Sequence, residues 1–272
     1  MRSPIAFLVG IGTGAFLVQD YRRRRAAVRF AAAALESLLA AIDANDAQTG
    51  AHVRRVAAYA LVLADAVGLD EHQRRNVERV ALFHDIGKIH EALFDITHDG
   101  TELSPEDRRE IATHPRRGAE VLAPLSPFYP ELAAGVLSHH ERWDGTGYPR
   151  GLRGTEIPLA ARIVTLADTF DAITHSRRYR DGRHARDAAR IIAAGRGTQF
   201  DPALVDRMLE PRAFRRIVRE KPARSALSGK GATERRAGKG DRPVPDVTFR
   251  WREKPDRSGA RAHASPQPPA PG

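Results

Sequence analysis

Apolar residues along this chain recur at helical spacing, and no stretch alternates in twos. From His52 to Ala66 the positions Val53, Val56, Ala57, Ala60, Leu61 and Ala64 share one side of a helix, and Gly68 is placed to end it. Asp70-Glu71-His72-Gln73 has the form of a capping box. It opens a helix through Val77, Val80 and Ala81 that is expected to carry His84 and Asp85 in its last turn and to stop at Gly87. Ser104-Pro105-Glu106-Asp107 supplies an N-cap, a proline at the first helical position and acids in the first turn. A short helix to about Thr113 follows, broken by His114-Pro115. Further helices are expected at 116–125, 130–137, 158–174, 185–194 and 202–209. With no β-branched alternation to suggest strands, the predicted fold class is an all-α bundle whose functional side chains come from helix ends and loops.

The two ends depart from this pattern. Residues 4–18 are uncharged and mostly apolar, and Arg22 to Arg25 follow directly. A helix of that length reaches about 22 Å, short of a hydrocarbon core of about 30 Å, so 4–18 would be a marginal span as a membrane anchor, and the other readings are a buried or frayed helix or a misplaced start codon. Arginines placed after the apolar run, the reverse of a secretory signal, would hold the remainder in the cytoplasm, anchored to the inner face of the membrane if the segment inserts. Residues 26–44 are rich in Ala and Leu without Gly or Pro and predict a connecting helix. Beyond about Arg219 the chain turns to Lys, Arg, Gly, Ser and Pro, a composition unable to bury enough apolar area to offset its ordering entropy. The expected organisation is an apolar N-terminal segment (1–21), a connecting helix (22–45), a globular domain (46–218) and a disordered basic tail (219–272). The roughly 40 residues ahead of the domain are too few for a receiver-like or sensor-like unit.

Charge alters this picture little. The formal net charge is +10, but from Arg219 onward there are 13 Lys and Arg against 6 Asp and Glu, so the first 218 residues carry only about +3. Basicity belongs mostly to the tail. Its one aromatic-basic patch, Phe249 and Trp251 among Arg250, Arg252 and Lys254, reads as solvated chain, and nucleic acid is not an expected partner. Cysteine is absent, which excludes a disulfide framework and thiolate metal sites and leaves nitrogen and oxygen donors for any metal.

Such donors are present in adjacent pairs. His139-His140 precedes a turn-forming Asp144-Gly145-Thr146-Gly147 and Tyr148-Pro149; His84-Asp85 lies upstream; His52, His114 and Asp168 stand singly. Alone, a histidine is usually a hydrogen-bonded structural residue and an aspartate near a helix end is usually a cap. Paired, they present two donors at one chain position. Five His and two Asp exceed a tetrahedral zinc site and suit two cations of the iron or manganese type.

The blocks His84-Asp85-Ile86-Gly87-Lys88 and His139-His140-Glu141-Arg142-Trp143-Asp144-Gly145-Thr146-Gly147-Tyr148-Pro149 resemble the HD-GYP family of metal-dependent cyclic di-GMP phosphodiesterases, a branch of the HD superfamily. Further matches are Thr49-Gly50-Ala51-His52, Arg55-Val56, His114-Pro115, Glu156-Ile157-Pro158, Ala161-Arg162, Ala167-Asp168-Thr169-Phe170-Asp171-Ala172 and Gly197-Thr198-Gln199-Phe200-Asp201-Pro202. The similarity covers roughly 40 to 212. An HD dipeptide alone carries little, whereas these blocks in this order are specific.

The resemblance implies an HD-type helical bundle that hydrolyses cyclic di-GMP to linear pGpG, and onward to GMP in some members, through a hydroxide shared by two divalent cations. It implies metal ligation by His52, His84, Asp85 and Asp168, joined in this branch by His114, His139 and His140, with Asp85 bridging the cations. Lys88 is expected to neutralise a phosphate oxygen or hold the nucleophile, Arg177 and Arg180 to grip phosphates, and Tyr148 to line the pocket. Asp171, Thr198 and Asp201 are expected to support the site from behind. A homodimer stands among the expected assemblies.

Three departures qualify the likeness. Gln48 stands where members with a third metal carry Glu, which predicts two cations; Ile89-His90-Glu91-Ala92 lacks the expected Gly-Ile-Pro; Ser176-Arg177-Arg178-Tyr179 replaces Asp-Arg-Pro-Tyr. The alternatives they keep open are a non-catalytic module that senses a cyclic dinucleotide or docks on a protein, and an HD phosphohydrolase acting on another nucleotide.

Overall fold

The computed structural model describes residues 4–89, 104–175 and 182–220, with the side chains of 4–18 outside that description. Ten α-helices appear among them. In chain order they are α1 (Pro4–Asn45), α2 (Ala47–Ala66), α3 (Glu71–Phe83), α4 (Pro105–Ile111), α5 (His114–Leu122), α6 (Leu132–Leu137), α7 (Leu159–Thr174), α8 (Ala185–Ala194), α9 (Pro202–Leu209) and α10 (Pro211–Arg219). Short 3-10 turns lie at Ile86–Ile89, Ala123–Leu125 and Gly154–Glu156. Two isolated bridges, Asp144 with Arg153 and Arg196 with Phe200, are the nearest approach to a sheet among the described residues. The fold is all-α.

Helices α2, α3 and α7 form the centre, packing Val53, Val56, Ala60 and Leu63 against Val77, Val80 and Ala81 and against Ile163, Val164, Leu166 and Phe170. These side chains are almost entirely removed from water. At about 25 cal/mol per Å² of apolar surface, such burial is what holds the site's helices in register. Local signals agree with the packing. Asp70 and Gln73 form the reciprocal capping box that opens α3, and Ser104 and Asp107 do the same for α4 with Pro105 in the first turn. Gly68 adopts φ +75 beyond the end of α2, a conformation that favours glycine.

Several boundaries differ from expectation for physical reasons. Helix α2 starts at Ala47, because Asp46 caps it by accepting from the backbone N–H groups of Gln48 and Thr49. The apolar segment and the connecting helix run together as α1, which packs on the body through Ala31, Leu35, Leu39 and Ile42 while Tyr21, Val28 and Phe30 are exposed. Helix α3 ends at Phe83, placing His84 at its C-cap and Asp85 beyond it. Gly87 lies inside the 3-10 turn instead of stopping a helix, because a Cβ there would run into the carbonyl oxygen of His114 and the amide of Gly118. His114 and Pro115 open α5, and α10, too short and basic to stand out in sequence, buries Ala213 and Ile217.

Among the described residues no helix is long and apolar enough to cross a membrane. The side chains of 4–18, the segment beyond Glu220, and the stretch containing Arg177 and Arg180 lie outside the described residues.

Candidate metal centre

Helix C-termini leave their last carbonyls without intrahelical partners. Three of the singled-out histidines use them. His84, just past α3, donates Nδ1–H to the Ala81 carbonyl (2.8 Å); His114, three residues past the end of α4, donates to Ile111 (2.6 Å); His139, two past α6, donates to Val136 (2.6 Å). A carbonyl can only accept, so each ring carries a proton on Nδ1 and, in its neutral form, presents Nε2 as a lone pair. All three rings are buried. Burial and the neighbouring histidines hold His139 well below the usual imidazole range, and burial lowers His84 despite the acids nearby. His140 is pushed down to about 3, chiefly by burial and then by His114 and Lys88. Neutral imidazoles with fixed Nε2 lone pairs are the ligating form.

These lone pairs converge. His52, His84 and Asp85 offer donor atoms within 4.8 Å of one another, and so do His114, His139 and His140. Asp85 stands between the groups. Its Oδ2 lies 3.5 Å from Nε2 of His84 and 3.9 Å from Nε2 of His52, while Oδ1 lies 3.3 Å from Nε2 of His114 and 4.0 Å from Nε2 of His139. Asp168, on α7, approaches His52 Nε2 at 3.3 Å through Oδ1. Burial would raise Asp85, but the Lys88 charge and the surrounding histidines outweigh it and keep the carboxyl ionised, well below its ordinary value.

The donor set fits a cation on its own chemistry. The Nε2 atoms of His114 and His139 are 3.1 Å apart, and with each Nδ1–H committed to a carbonyl two neutral rings have nothing to donate to each other. Two lone pairs facing at that distance repel unless a positive centre lies between or beside them. Nε2 of His84 and Oδ1 of Asp85 are buried without a hydrogen-bond partner, a cost on the order of 1–3 kcal/mol each that a metal ion would remove.

His52 is supported differently. It lies within α2, where the carbonyls are engaged by the helix, and its Nδ1 meets Oδ2 of Asp171 at 2.7 Å. Arg55, one turn along α2, clamps both oxygens of Asp171 at 2.7 and 2.9 Å. Burial pushes Asp171 up, yet the hydrogen bonds from His52 and Arg55 hold it below the usual carboxylate range.

The loop from His139 to Pro149 closes one side. Tyr148 stacks on His140 with ring centroids 4.9 Å apart, and Lys88 reaches Oδ2 of Asp85 at 2.8 Å while remaining about one-third exposed. Tyr148 stays a protonated phenol, pushed up first by burial and then by Asp85 and Asp168. A Cβ at Gly147 would collide with the backbone of Glu141 and Arg142, so the tight return of the loop requires glycine. Two of the expected supporting residues act through the frame: the Thr198 carbonyl accepts from the Asp144 amide (2.8 Å), and Asp201 caps α9 while binding Arg162. Gln48 is exposed in the first turn of α2.

Sequence reasoning passed over two contributors. Glu141 is buried and accepts from the backbone N–H groups of Arg150 (2.8 Å) and Leu152 (3.0 Å), tying the far limb of the loop to the paired histidines. Arg55 stands in the sequence only as part of a motif. Its signal was the spacing: Arg55 follows His52 by three residues just as Asp171 follows Asp168, which lays both pairs along facing sides of α2 and α7.

Comparison with known proteins agrees with this geometry. The HD domain family matches residues 36–204, more than half the chain. A cyclic di-GMP phosphodiesterase response regulator, RpfG of Xanthomonas campestris, is 39% identical over 181 residues, covering 66% of this chain and 47% of its own length. The 3'3'-cGAMP-specific phosphodiesterase 2 of Vibrio cholerae is 36% identical over 176 residues, covering 64% of this chain and 33% of its own. The chain thus spans less than half the length of these curated relatives. A solved structure of a cyclic GMP-AMP specific phosphodiesterase from V. cholerae shares the fold, with a TM-score of 0.50 at 24% identity, covering 72% of this chain and 56% of that one. With the paired histidines, the HD step and the Gly-Tyr-Pro loop gathered at one centre, the chain belongs to the HD domain family, in its HD-GYP branch.

Proposed function

We propose that this chain is a metal-dependent phosphodiesterase that opens cyclic di-GMP to linear pGpG. The observation that carries the reading is Asp85, whose two oxygens face two separate histidine groups at 3.3 and 3.5 Å. A carboxylate so placed suits two divalent cations, iron or manganese by its nitrogen and oxygen surroundings, held by His52, His84, Asp85 and Asp168 on one side and by Asp85, His114, His139 and His140 on the other. Such cations lower the pKa of water and neutralise charge at phosphorus.

The chain's own groups supply the rest. His84 and His139, kept neutral by burial and fixed with Nδ1–H on a carbonyl, need no proton removed before they bind at neutral pH. Lys88, about one-third exposed beside Asp85, is suited to meet a non-bridging phosphate oxygen with a compact ammonium. Tyr148, protonated and braced on His140, offers a hydroxyl donor at the rim. Arg177 and Arg180, outside the described residues, are assigned to the phosphates on the strength of the motif alone.

The relatives include enzymes named for 3'3'-cGAMP, which favours a second reading in which the mixed cyclic dinucleotide is the substrate. Turnover of both nucleotides by metal-loaded protein, with elemental analysis of the same sample, tests the proposal. Hydrolysis of one or the other is expected with metal bound, and Asp85→Ala should abolish both binding and turnover. Full turnover in that variant would sink the mechanism, and metal binding without turnover of any cyclic dinucleotide would leave a sensing module in its place.

A further inference from the structure

His84, His114 and His139 each anchor Nδ1 on a carbonyl at the end of the helix that precedes them, which no side-chain substitution can remove. His52 cannot do so. Sitting within α2, it directs Nδ1 at Asp171 of α7 (2.7 Å) while Nε2 faces Asp168, and Asp171 is 1% exposed. Three groups converge on that carboxylate: His52 at 2.7 Å, the Arg55 fork at 2.7 and 2.9 Å, and His175 through Nδ1 at 3.0 Å. Tyr59 packs beside His175 and on Phe170, closing the apolar side of the cluster. An Asp held by two or three donors is stiff, and a charged acceptor strengthens the imidazole opposite it as a metal donor more than a neutral carbonyl does.

We propose that Asp171 is a positioning residue that fixes His52 as its Nδ1–H tautomer and aims Nε2 at the centre, so that metal binding on the His52, His84 and Asp168 side depends on a carboxylate that the all-histidine side does without. The inference rests on the metal-centre reading above. It adds an asymmetry: His84, His114 and His139 are set by backbone carbonyls, whereas His52 is set by a side-chain relay from Arg55 through Asp171.

Long-range ¹⁵N correlation spectra of metal-free wild-type protein read the tautomer directly. His52 is expected as Nδ1–H; finding its proton on Nε2 overturns the proposal whatever any variant does. Asp171→Asn keeps the shape and one acceptor oxygen but loses the charge, and Asp171→Ala loses both. Chelator-competition titrations with Mn²⁺ alone should show the affinity of one equivalent falling roughly 10–100-fold in Asp171→Ala and less in Asp171→Asn, with the second equivalent unchanged. Equal losses at both equivalents would mark Asp171 as a general structural residue, and no loss at either would remove it from the site. If wild-type protein shows the Nδ1–H tautomer but binds no Mn²⁺, the metal-centre reading fails while the positioning of His52 stands.

Discussion

The two sides of the centre are built from the same residue type by different means. On one, His114 and His139 hang from the ends of short helices, buried, with His140 stacked between them and Tyr148. On the other, His52 is 13% exposed on a long central helix, flanked by Asp168 at 24% and backed by the Arg55–Asp171 pair. The first is dry and uncharged; the second is wetter and rich in carboxylate. Burial penalises charge, so His139 and His140 stay neutral, whereas Asp85 and Asp171 keep their ionised form through arginine, lysine and imidazole neighbours. Two cations placed here would face different fields.

Deleting one ligand from each side breaks the comparison most strongly. His114→Ala removes a donor from the dry side only, and its metal affinity should fall by more than the roughly 10–100-fold typical of losing an outer partner, leaving one equivalent bound. His84→Ala should do the reverse. Elemental analysis after dialysis against a weak chelator reads both. Loss of both equivalents in either variant would mean that the sides are one cooperative site.

Acid separates the sides next. The unfolded chain takes up protons on histidine below about 6.5, but folded His140 does so only near 3 and His139 lower still than its usual range. Between those values the unfolded state binds more protons, so stability falls as pH drops from about 6.5 and is flat above it. Asp85 and Asp171, depressed in the fold, add to the loss only below about 4, because their unfolded forms stay ionised above that. Calorimetry of metal-free protein should show Tm declining from pH 6.5 to 4.5, and His140→Gln should flatten that decline. A Tm constant over this range would show that the dry side is hydrated in solution.

How much of this was legible beforehand differs between fold and site. The capping boxes at Asp70 and Ser104 and the stripes on α2 and α3 are local signals, and they placed those helices to within a few residues. What could not be read were features set across space. The extent of α1 depends on Leu35, Leu39 and Ile42 finding the body, and the 3-10 turn at Gly87 depends on α5 lying against it. Paired histidines announced a centre through their spacing, but their support by helix-end carbonyls needs coordinates. Glu141 shows the limit: nothing in the sequence says that the acid beside two histidines turns its carboxylate to hold the backbone at 150 and 152.

Gly87→Ala tests how closely the sides are set together. The added methyl meets the His114 carbonyl and the Gly118 amide, both backbone, so the 3-10 turn bearing Lys88 must shift away from α5. Overpacking of this kind costs about 1–3 kcal/mol, a drop of several degrees in Tm. Because Asp85 lies just before the turn and His114 opens α5, the all-histidine side should weaken more than the other in Mn²⁺ titration. Equal weakening would show that Asp85 moves with neither.

Tyr148 carries the smallest expected effect and the finest distinction. Its ring stacks on His140 at 20° between planes, and its hydroxyl stays protonated because burial and two nearby carboxylates oppose a phenolate. Tyr148→Phe keeps the stacked ring and removes only the donor, so metal content and Tm should hold while KM for the cyclic dinucleotide rises a few-fold, about 1 kcal/mol for a neutral hydrogen bond. Tyr148→Ala removes the ring as well. The dry side would then admit water beside His140, and the acid-sensitive range should narrow because a better-solvated imidazole accepts its proton at higher pH. If Phe and Ala behave alike in Tm, in metal content and in acid, the stack contributes nothing to dryness, and the contrast between the two sides would then rest on the helix ends alone.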